Sequence, residues 1–309
     1  MGAENHLIEN AYGGKVHLDA RSHRWVNVAG LMMPPMLHRT QAAPFQHGAT
    51  WLATVLQPRD IILNWFSRTC DRRAMFDLRD AFSRVINPHL GPFTWRTFLP
   101  DGRIRELRNV IYDSGLGTEL ETVNEEPNFF RAVTRFIAED PVWWGDDHAQ
   151  TEAPGVSTGI AFIFPLNPGL AGNRDFDTLE FGGGGSLASR TFSITYDGSW
   201  PAYPVIQILG PADDMLLTNN TTGEKLELDY EIADGETVTF DTRFGFKTVE
   251  SDTAGNIVGY LTTDSDLTTF HLEIDPVATD GLNSFTLSAG NTTASTRLTI
   301  RWEDRYLAI

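Results

Sequence analysis

The chain of 309 residues carries one cysteine, eight histidines and no stretch of about 18 apolar residues. A single cysteine, Cys70, excludes an internal disulfide and any thiolate-rich zinc or iron–sulfur centre. Stability must therefore come from packing or from subunit contacts. Neither Thr69 nor Asp71 supplies a base or a positive charge that would activate the Cys70 thiol, so a small structural residue is expected there. The missing apolar run argues against a membrane span. Met1 to Asn10 lacks both the basic start and the apolar stretch of a signal peptide, so a protein made and kept in a cytoplasm is the expectation.

Recognisable catalytic patterns are missing as well. The histidines, at 6, 17, 23, 38, 47, 89, 148 and 271, show no metal-ligand spacing on a helix and no His-Glu-x-x-His pattern. No Gly-x-Ser-x-Gly elbow occurs, and Asp197-Gly198-Ser199-Trp200-Pro201 reads as a turn closing a strand. The glycine run Gly182 to Gly185 leads into Ser186-Leu187-Ala188-Ser189-Arg190 and an alternating strand, whereas a phosphate loop needs a helix after it. Paired carboxylates at Asp146-Asp147, Asp213-Asp214 and Asp264-Ser265-Asp266 supply clustered oxygens, the donors that calcium or glycoside hydrolysis requires, but none has a calcium-loop spacing with its distal Glu. Solvated turns are the simpler reading. No enzyme, cofactor or metal follows from these residues.

What is present is a large, mainly β protein of ordinary globular composition, 41% hydrophobic and 21% charged. Its length exceeds the roughly 100–200 residues of one domain, so two are expected. The formal net charge of -17 is uneven. Residues 1–150 hold 16 Lys and Arg against 18 Asp and Glu, while residues 151–309 hold 8 against 23. Such an acidic second half repels phosphate backbones, so specific nucleic-acid binding is not expected. In the first half every cation but Lys15 is arginine, the residue favoured at protein interfaces.

Period-two alternation marks half-buried strands at Leu226, Leu228, Tyr230 and Ile232, at Val238 and Phe240, at Phe270, Leu272 and Ile274, and at Leu298, Ile300 and Trp302. Turn signals separate them at Thr222-Gly223, Asp234-Gly235, Gly255-Asn256 and Ala289-Gly290-Asn291, the spacing of a β-sandwich or barrel. One helix is expected from about Asp71 to Ile86, with Met75, Leu78, Phe82, Val85 and Ile86 on one stripe, Asp71 as N-cap and Asn87-Pro88 as the stop. Its other face carries Arg72, Arg73, Asp80 and Arg84, either solvated or an oligomer contact. After Asp140-Pro141-Val142-Trp143-Trp144-Gly145 comes a stretch with Pro154, Gly155, Pro165 and Pro168, which places a domain boundary between 1–145 and 146–309.

Tyr203-Pro204-Val205-Ile206-Gln207-Ile208, followed by Leu217 to Leu226 with Asn219-Asn220-Thr221-Thr222-Gly223 inside it, resembles a stretch of the distal tail proteins of long-tailed bacteriophages (siphophages). Asp234 to Asp241, Leu287 to Asn291 and Leu298 to Tyr306 continue the resemblance in order. Arg59 to Leu63, the Arg72–Ile86 helix and Asp140 to Trp143 agree more loosely. Asn219, Thr221, Thr222, Gly223, Gly290 and Asn291 are residue types suited to turns, so they serve as fold markers.

The resemblance implies a structural virion protein at the tail tip. A ring-forming N-terminal domain would assemble as a homohexamer, and a galectin-like β-sandwich would follow it. The ring would join the tail-tube protein to the tail-tip hub, or baseplate, and the host-recognition apparatus. Head-to-tail closure needs two different patches on each subunit, and the arginine-bearing first half suits them. A carbohydrate-binding or receptor-binding module is the alternative, with a host glycan or a receptor-binding protein as partner. Trp143, Trp144, Trp200 and Trp302, near strand ends and junctions, are then the candidate sugar platforms.

Overall fold

The structure, a computed structural model, describes residues 5–18, 23–116, 125–126, 129–154, 188–274 and 281–309. The glycine run Gly182 to Gly185 lies outside the described residues, as do Gly155, Pro165 and Pro168. The chain is mainly β and folds as two units, Met1–Asp146 with Asp304–Ile309, and Asp147–Glu303. The expected second domain of 146–309 thus differs at its end, since the last six residues fold with the first unit. They are held there by arginines. Arg59 Nη2 donates to the Leu307 carbonyl at 2.9 Å, and Arg105 donates to that of Ala308 with its guanidinium carbon 3.6 Å from the Tyr306 ring centre.

In the first unit, β1 (Asn5–Asn10), β2 (Lys15–Leu18), β3 (Arg24–Ala29), β4 (Met36–Gln41), β5 (Thr50–Leu56) and β6 (Arg59–Arg68) precede helix α1 (Arg72–Val85). Then come β7 (Phe93–Phe98), β8 (Ile104–Ser114), β9 (Glu125–Glu126), β10 (Phe129–Ala138) and the start of β11 (Trp143–Glu152). Strands β8, β10, β6 and β3 lie side by side, while β7, β1 and β2 continue from β8. Alternation along β6 turns Ile61, Leu63 and Trp65 inward, opposite Phe136, Thr134 and Ala132 of β10. The Trp65 indole donates to Thr134 Oγ1 at 3.0 Å and so satisfies the one polar atom that its burial would strand.

Helix α1 starts where its sequence dictates: the Asp71 carboxylate accepts from Ala74 N at 2.8 Å, and the helix stops before Asn87-Pro88. Met75, Phe82 and Val85 are buried, with Phe82 4.8 Å from Trp65, ring centre to ring centre. Arg72, Arg73 and Arg84 lie on its exposed side.

The second unit contains β12 (Ala188–Thr195), β13 (Val205–Leu209), β14 (Asp213–Asn219), β15 (Lys225–Leu228), β16 (Thr237–Asp241), β17 (Thr248–Ser251), β18 (Gly255–Asn256), β19 (Leu282–Gly290) and most of β20 (Arg297–Tyr306). One sheet runs β18-β17-β16-β13-β20 and another β12-β19-β14-β15. Ile206, Ile208, Val238, Phe240, Leu298 and Ile300 of the first share one core with Ile194, Met215, Leu217, Leu226, Phe285 and Leu287 of the second. This is a β-sandwich.

Two strands expected from alternation are not formed as read. Strand β15 ends at Leu228, and Ile232 makes only an isolated bridge to Ala212. Phe270 and Leu272 are buried, yet their segment makes one bridge, Leu272 to Ala202, because side chains take its backbone groups: Asn219 Nδ2 donates to the His271 carbonyl and Glu224 accepts from His271 N. Gly255-Asn256, expected as a turn, forms the short strand β18 instead.

Placing a charge beneath the helix tests its orientation. Phe82→Asp buries an unpaired carboxylate against Trp65 and is expected to cost several kcal/mol, whereas Arg73→Ala stays within about 0.5 kcal/mol. Thermal unfolding of the two variants checks both.

Candidate assembly interface

Strands β4 and β5 pair only with each other, as a two-stranded sheet of their own. An isolated hairpin is marginal in water, and its apolar side chains here have no core to enter. Leu37, Leu52 and Val55 are exposed, Trp51 is 63% exposed and Phe45, in the connecting loop, is fully so. Met32 and Met33, just before the hairpin, are exposed too. Exposed apolar residues gathered on one short hairpin make it a candidate for a contact. The sequence reading did not find it, because Leu37, Phe45, Trp51, Leu52 and Val55 follow no single period that would mark a buried face.

The base of this hairpin is fixed by Arg59, which is fully buried. All five of its N–H groups are used on backbone carbonyls. Nε donates to Pro141 at 3.1 Å, Nη1 to Gly30 at 2.8 Å and to Met32, and Nη2 to Pro141 at 2.7 Å and to Leu307. Its guanidinium lies 5.8 Å from the Trp143 ring centre, and desolvation pulls its pKa down from 12.5 to about 10. Gly30 is required for the fit, since it has φ +91° and a Cβ would sit 1.9 Å from the Asp60 carbonyl oxygen. One side chain thereby ties the start of the hairpin segment, the turn before β11 and the carboxyl end together.

Other arginines of the first unit also serve internal contacts. Arg96 bonds Glu9 and Glu106, and Arg135 bonds Asp60 at 3.0 Å. Arg72 and Arg79 both lie over the Phe76 ring. The arginine bias is therefore partly a matter of folding, with Arg72, Arg73 and Arg84 at the surface on α1.

The fold markers hold turns. Asn219 accepts from Thr221 N at 3.0 Å and donates to the His271 carbonyl at 2.9 Å, Thr221 Oγ1 accepts from Ser284 N, and Thr222 Oγ1 donates to Glu224 at 3.2 Å. Gly223 and Asn291 adopt positive φ, and Gly290 ends β19. Asp264 and Asp266 are engaged by Lys225 through its Nζ and its backbone N–H, at 3.3 and 3.0 Å. Among the described residues no three His, Cys, Asp or Glu side chains gather as metal ligands, and no helix is long and apolar enough to cross a membrane. Cys70 is exposed, with its thiol 3.7 Å from the Asp71 carboxylate.

Three of the four tryptophans expected as sugar platforms have their rings engaged within the chain. Trp143 is buried and donates to the Leu31 carbonyl at 3.0 Å, and Trp302 is buried and stacked with His148. Trp144 donates to Asp140 and lies under the guanidiniums of Arg108 and Arg305. Trp200 is half-buried, and its carbonyl accepts from Tyr196. Large apolar rings at strand ends seal cores, which spacing in the sequence does not distinguish from a platform.

No protein-family model matches the sequence, and neither does any curated protein. Solved structures do match. The structure shares its fold with the SPP1 Dit protein, described as a paradigm of the hub adsorption apparatus in phages infecting Gram-positive bacteria, with a TM-score of 0.61 at 12% identity over 97% of this chain and 98% of that one. The phage P2 baseplate, in its activated conformation with Ca and with Sr, matches at TM-scores of 0.45 and 0.44, each with 10% identity and 97% and 98% coverage. In class, then, the chain is a β-rich protein of two units with the fold of a phage tail hub protein. That is the fold which the resemblance implied, in order from Tyr203 to Tyr306 and more loosely in the first half, the fold of the distal tail proteins.

Two measurements probe these contacts. Replacing Arg59 by Met removes the guanidinium donors from four carbonyls and is expected to destabilise the first unit by roughly 3–5 kcal/mol, measured by urea unfolding followed through tryptophan fluorescence. Protonation supplies the second. His6, buried between Trp25 and Trp95 and bonded to Thr97 Oγ1, has its pKa lowered by burial from 6.5 to about 4. The unfolded chain binds that proton more readily, so the stability of the first unit falls by about 2 kcal/mol from pH 7 to pH 5. His271 has the opposite sign. Burial opposes its charge, but hydrogen bonds to Glu273 and the Thr269 carbonyl, with the charges of Glu224 and Glu273, outweigh it and raise the pKa. Its contribution is full below 6.5 and is lost as pH rises through the folded value. Unfolding of wild type and of His6→Gln across this range separates the two.

Proposed function

We propose that the chain is a structural component of a phage tail tip, a distal tail protein that assembles as a homohexameric ring between the tail tube and the hub or baseplate, and that it has no enzymatic role. The observation that carries this reading is the end-to-end correspondence with the SPP1 Dit fold, which covers both units rather than one widely used module. The hairpin β4–β5 supports self-association. Its exposed apolar side chains need a surface to cover them, and a ring offers a different patch of the next copy. Arg72, Arg73 and Arg84 are candidates for the polar part of such a contact. The second unit would be the galectin-like sandwich of the family, and its acidity suits an exposed periphery. Tail-tube and hub proteins are the expected partners, with a receptor-binding protein attached further out.

Size-exclusion chromatography with light scattering tests this directly. A mass near six times 34.4 kDa is expected, and a double variant Trp51→Asp, Leu52→Asp should return monomers that keep the wild-type circular dichroism spectrum, because both side chains are exposed in the single chain. A wild-type chain that stays monomeric with purified tail-tube protein, or that labels any part of the virion other than the tail tip in electron micrographs, overturns the reading.

A further inference from the structure

The tip of the hairpin β4–β5 is built around a residue that its backbone does not favour. Gln46 N donates to the Ala43 carbonyl at 3.0 Å and closes a four-residue turn, with Pro44 at its second position and Phe45 at its third. The Gln46 side chain fastens the turn twice, accepting from Ala43 N at 2.9 Å and donating to Thr50 Oγ1 at 3.0 Å. Phe45 has φ +66°, the left-handed conformation that the third position of such a turn normally gives to glycine or asparagine. Its ring is wholly exposed, so burial offsets none of that strain, and glycine in its place relaxes the turn. From residue 31 to residue 58 the segment holds no Asp or Glu, and Arg39, exposed on β4, is its one Lys or Arg.

A groove of about 410 Å³ opens at the carboxyl end of α1, lined by Ser83, Arg84, Ile86 and Pro88 on one side and by Tyr112 and Leu116 on the other. That volume lies within the roughly 300–1,000 Å³ of pockets that take small-molecule guests, so a phenyl ring has room there. Ile86, Pro88, Tyr112 and Leu116 supply apolar walls, and the Tyr112 hydroxyl is fixed by accepting from Leu116 N at 3.2 Å. The last four carbonyls of a helix lack partners within it. In α1 the Phe82 carbonyl accepts from Ile86 N and that of Val85 from Asn10 Nδ2, while those of Ser83 and Arg84, both groove residues, have no donor among the described residues. The groove therefore joins apolar walls to the negative end of a helix dipole, which suits a cation and repels an acid. The Arg84 side chain is balanced by Asp80, one turn earlier on the same face.

Hairpin and groove stand on opposite sides of the strands β8-β10-β6-β3. Tyr112 of β8 lies beside Phe136 of β10, Phe136 beside Ile61 of β6, and β6 pairs with β3 at Ala29, one residue before the hairpin segment departs at Gly30. Three strand spacings, roughly 14 Å, separate them. Head-to-tail closure needs two unlike patches set apart on one chain in this way. We propose that the groove at the end of α1 receives the hairpin tip of a neighbouring copy, with the Phe45 ring against Ile86, Pro88, Tyr112 and Leu116 and with Arg39 of the same hairpin drawn to the negative end of the helix. This rests on the ring reading above and names the patch that the hairpin enters.

Light scattering and photo-cross-linking of the full chain test the docking. Phe45→Gly is expected to keep the wild-type circular dichroism spectrum, since the ring is exposed, and to raise the concentration needed for assembly at least tenfold. The exposed Cys70 is first replaced, as Cys70→Ser, and a photoreactive maleimide is then attached through Ala43→Cys, an exposed position beside the ring. Illumination should join two chains, with mass spectrometry placing the captured end in residues 83–88 or 112–116 of the other copy. A wild type that stays monomeric overturns the ring reading and this inference alike. A wild type that assembles, beside a Phe45→Gly chain that assembles equally well, overturns the docking and leaves the ring standing. So does capture of the label by any other part of a second copy, or by added tail-tube protein.

Discussion

A buried guanidinium without a carboxylate beside it is costly unless every N–H finds an acceptor, and Arg59 meets that requirement wholly on backbone carbonyls. The acceptors come from Gly30, Met32, Pro141 and Leu307, four residues from three distant parts of the chain. Because carbonyls cannot move without their strands, the demands of one side chain fix the segment leading into β4, the turn into β11 and the end of β20 at once. Trp143 repeats the arrangement in milder form, through its donation to the Leu31 carbonyl. The aromatic cluster of Trp65, Phe82, Phe130 and Phe136 then packs on a frame whose ends are already tied.

That frame explains how an apolar hairpin can be held ready without a core of its own. Among the described residues most side chains of β4 and β5 are exposed, so the position of the hairpin leans on what is anchored at its base, namely Gly30 to Met32. The second unit solves a similar problem by different means. Its loop between β16 and β17, with Phe244 and Phe246 exposed, is held by local hydrogen bonds and by the Lys247 ammonium over Tyr203 and Phe244. Both exposed groups are thus held in place by the chain itself, which would lower the ordering entropy of any binding there.

Much of this was legible in the residues. Strands buried on one face declare themselves by alternation, as Val238 and Phe240 or Leu298, Ile300 and Trp302 do, and α1 was readable to within a residue because cap, stripe and proline stop agree. The order of short turn motifs from Tyr203 to Tyr306 pointed to the fold itself. Other features were hidden by their physics. Phe270, Leu272 and Ile274 alternate in burial, yet side chains rather than a neighbouring strand take the backbone groups at His271, and alternation reports burial, not pairing. The hairpin was invisible because it has no buried face to impose a period. The role of Arg59 was equally hidden, since an arginine that answers carbonyls leaves no complementary charge in the sequence. The tryptophans misled for a related reason: a ring that seals a junction and a ring that awaits a ligand have the same spelling.

The chain enters the sandwich after Asp146 and comes back at Asp304, so the second unit is lodged inside the first like a clause within a sentence. A protein built this way cannot shed its sandwich by early termination, because the closing residues Tyr306 to Ala308 are among those the arginines of the first unit hold. Exchange of that sandwich for another, in nature or in the laboratory, has to respect two joints rather than one, and any replacement must bring its own ends close enough together to rejoin them.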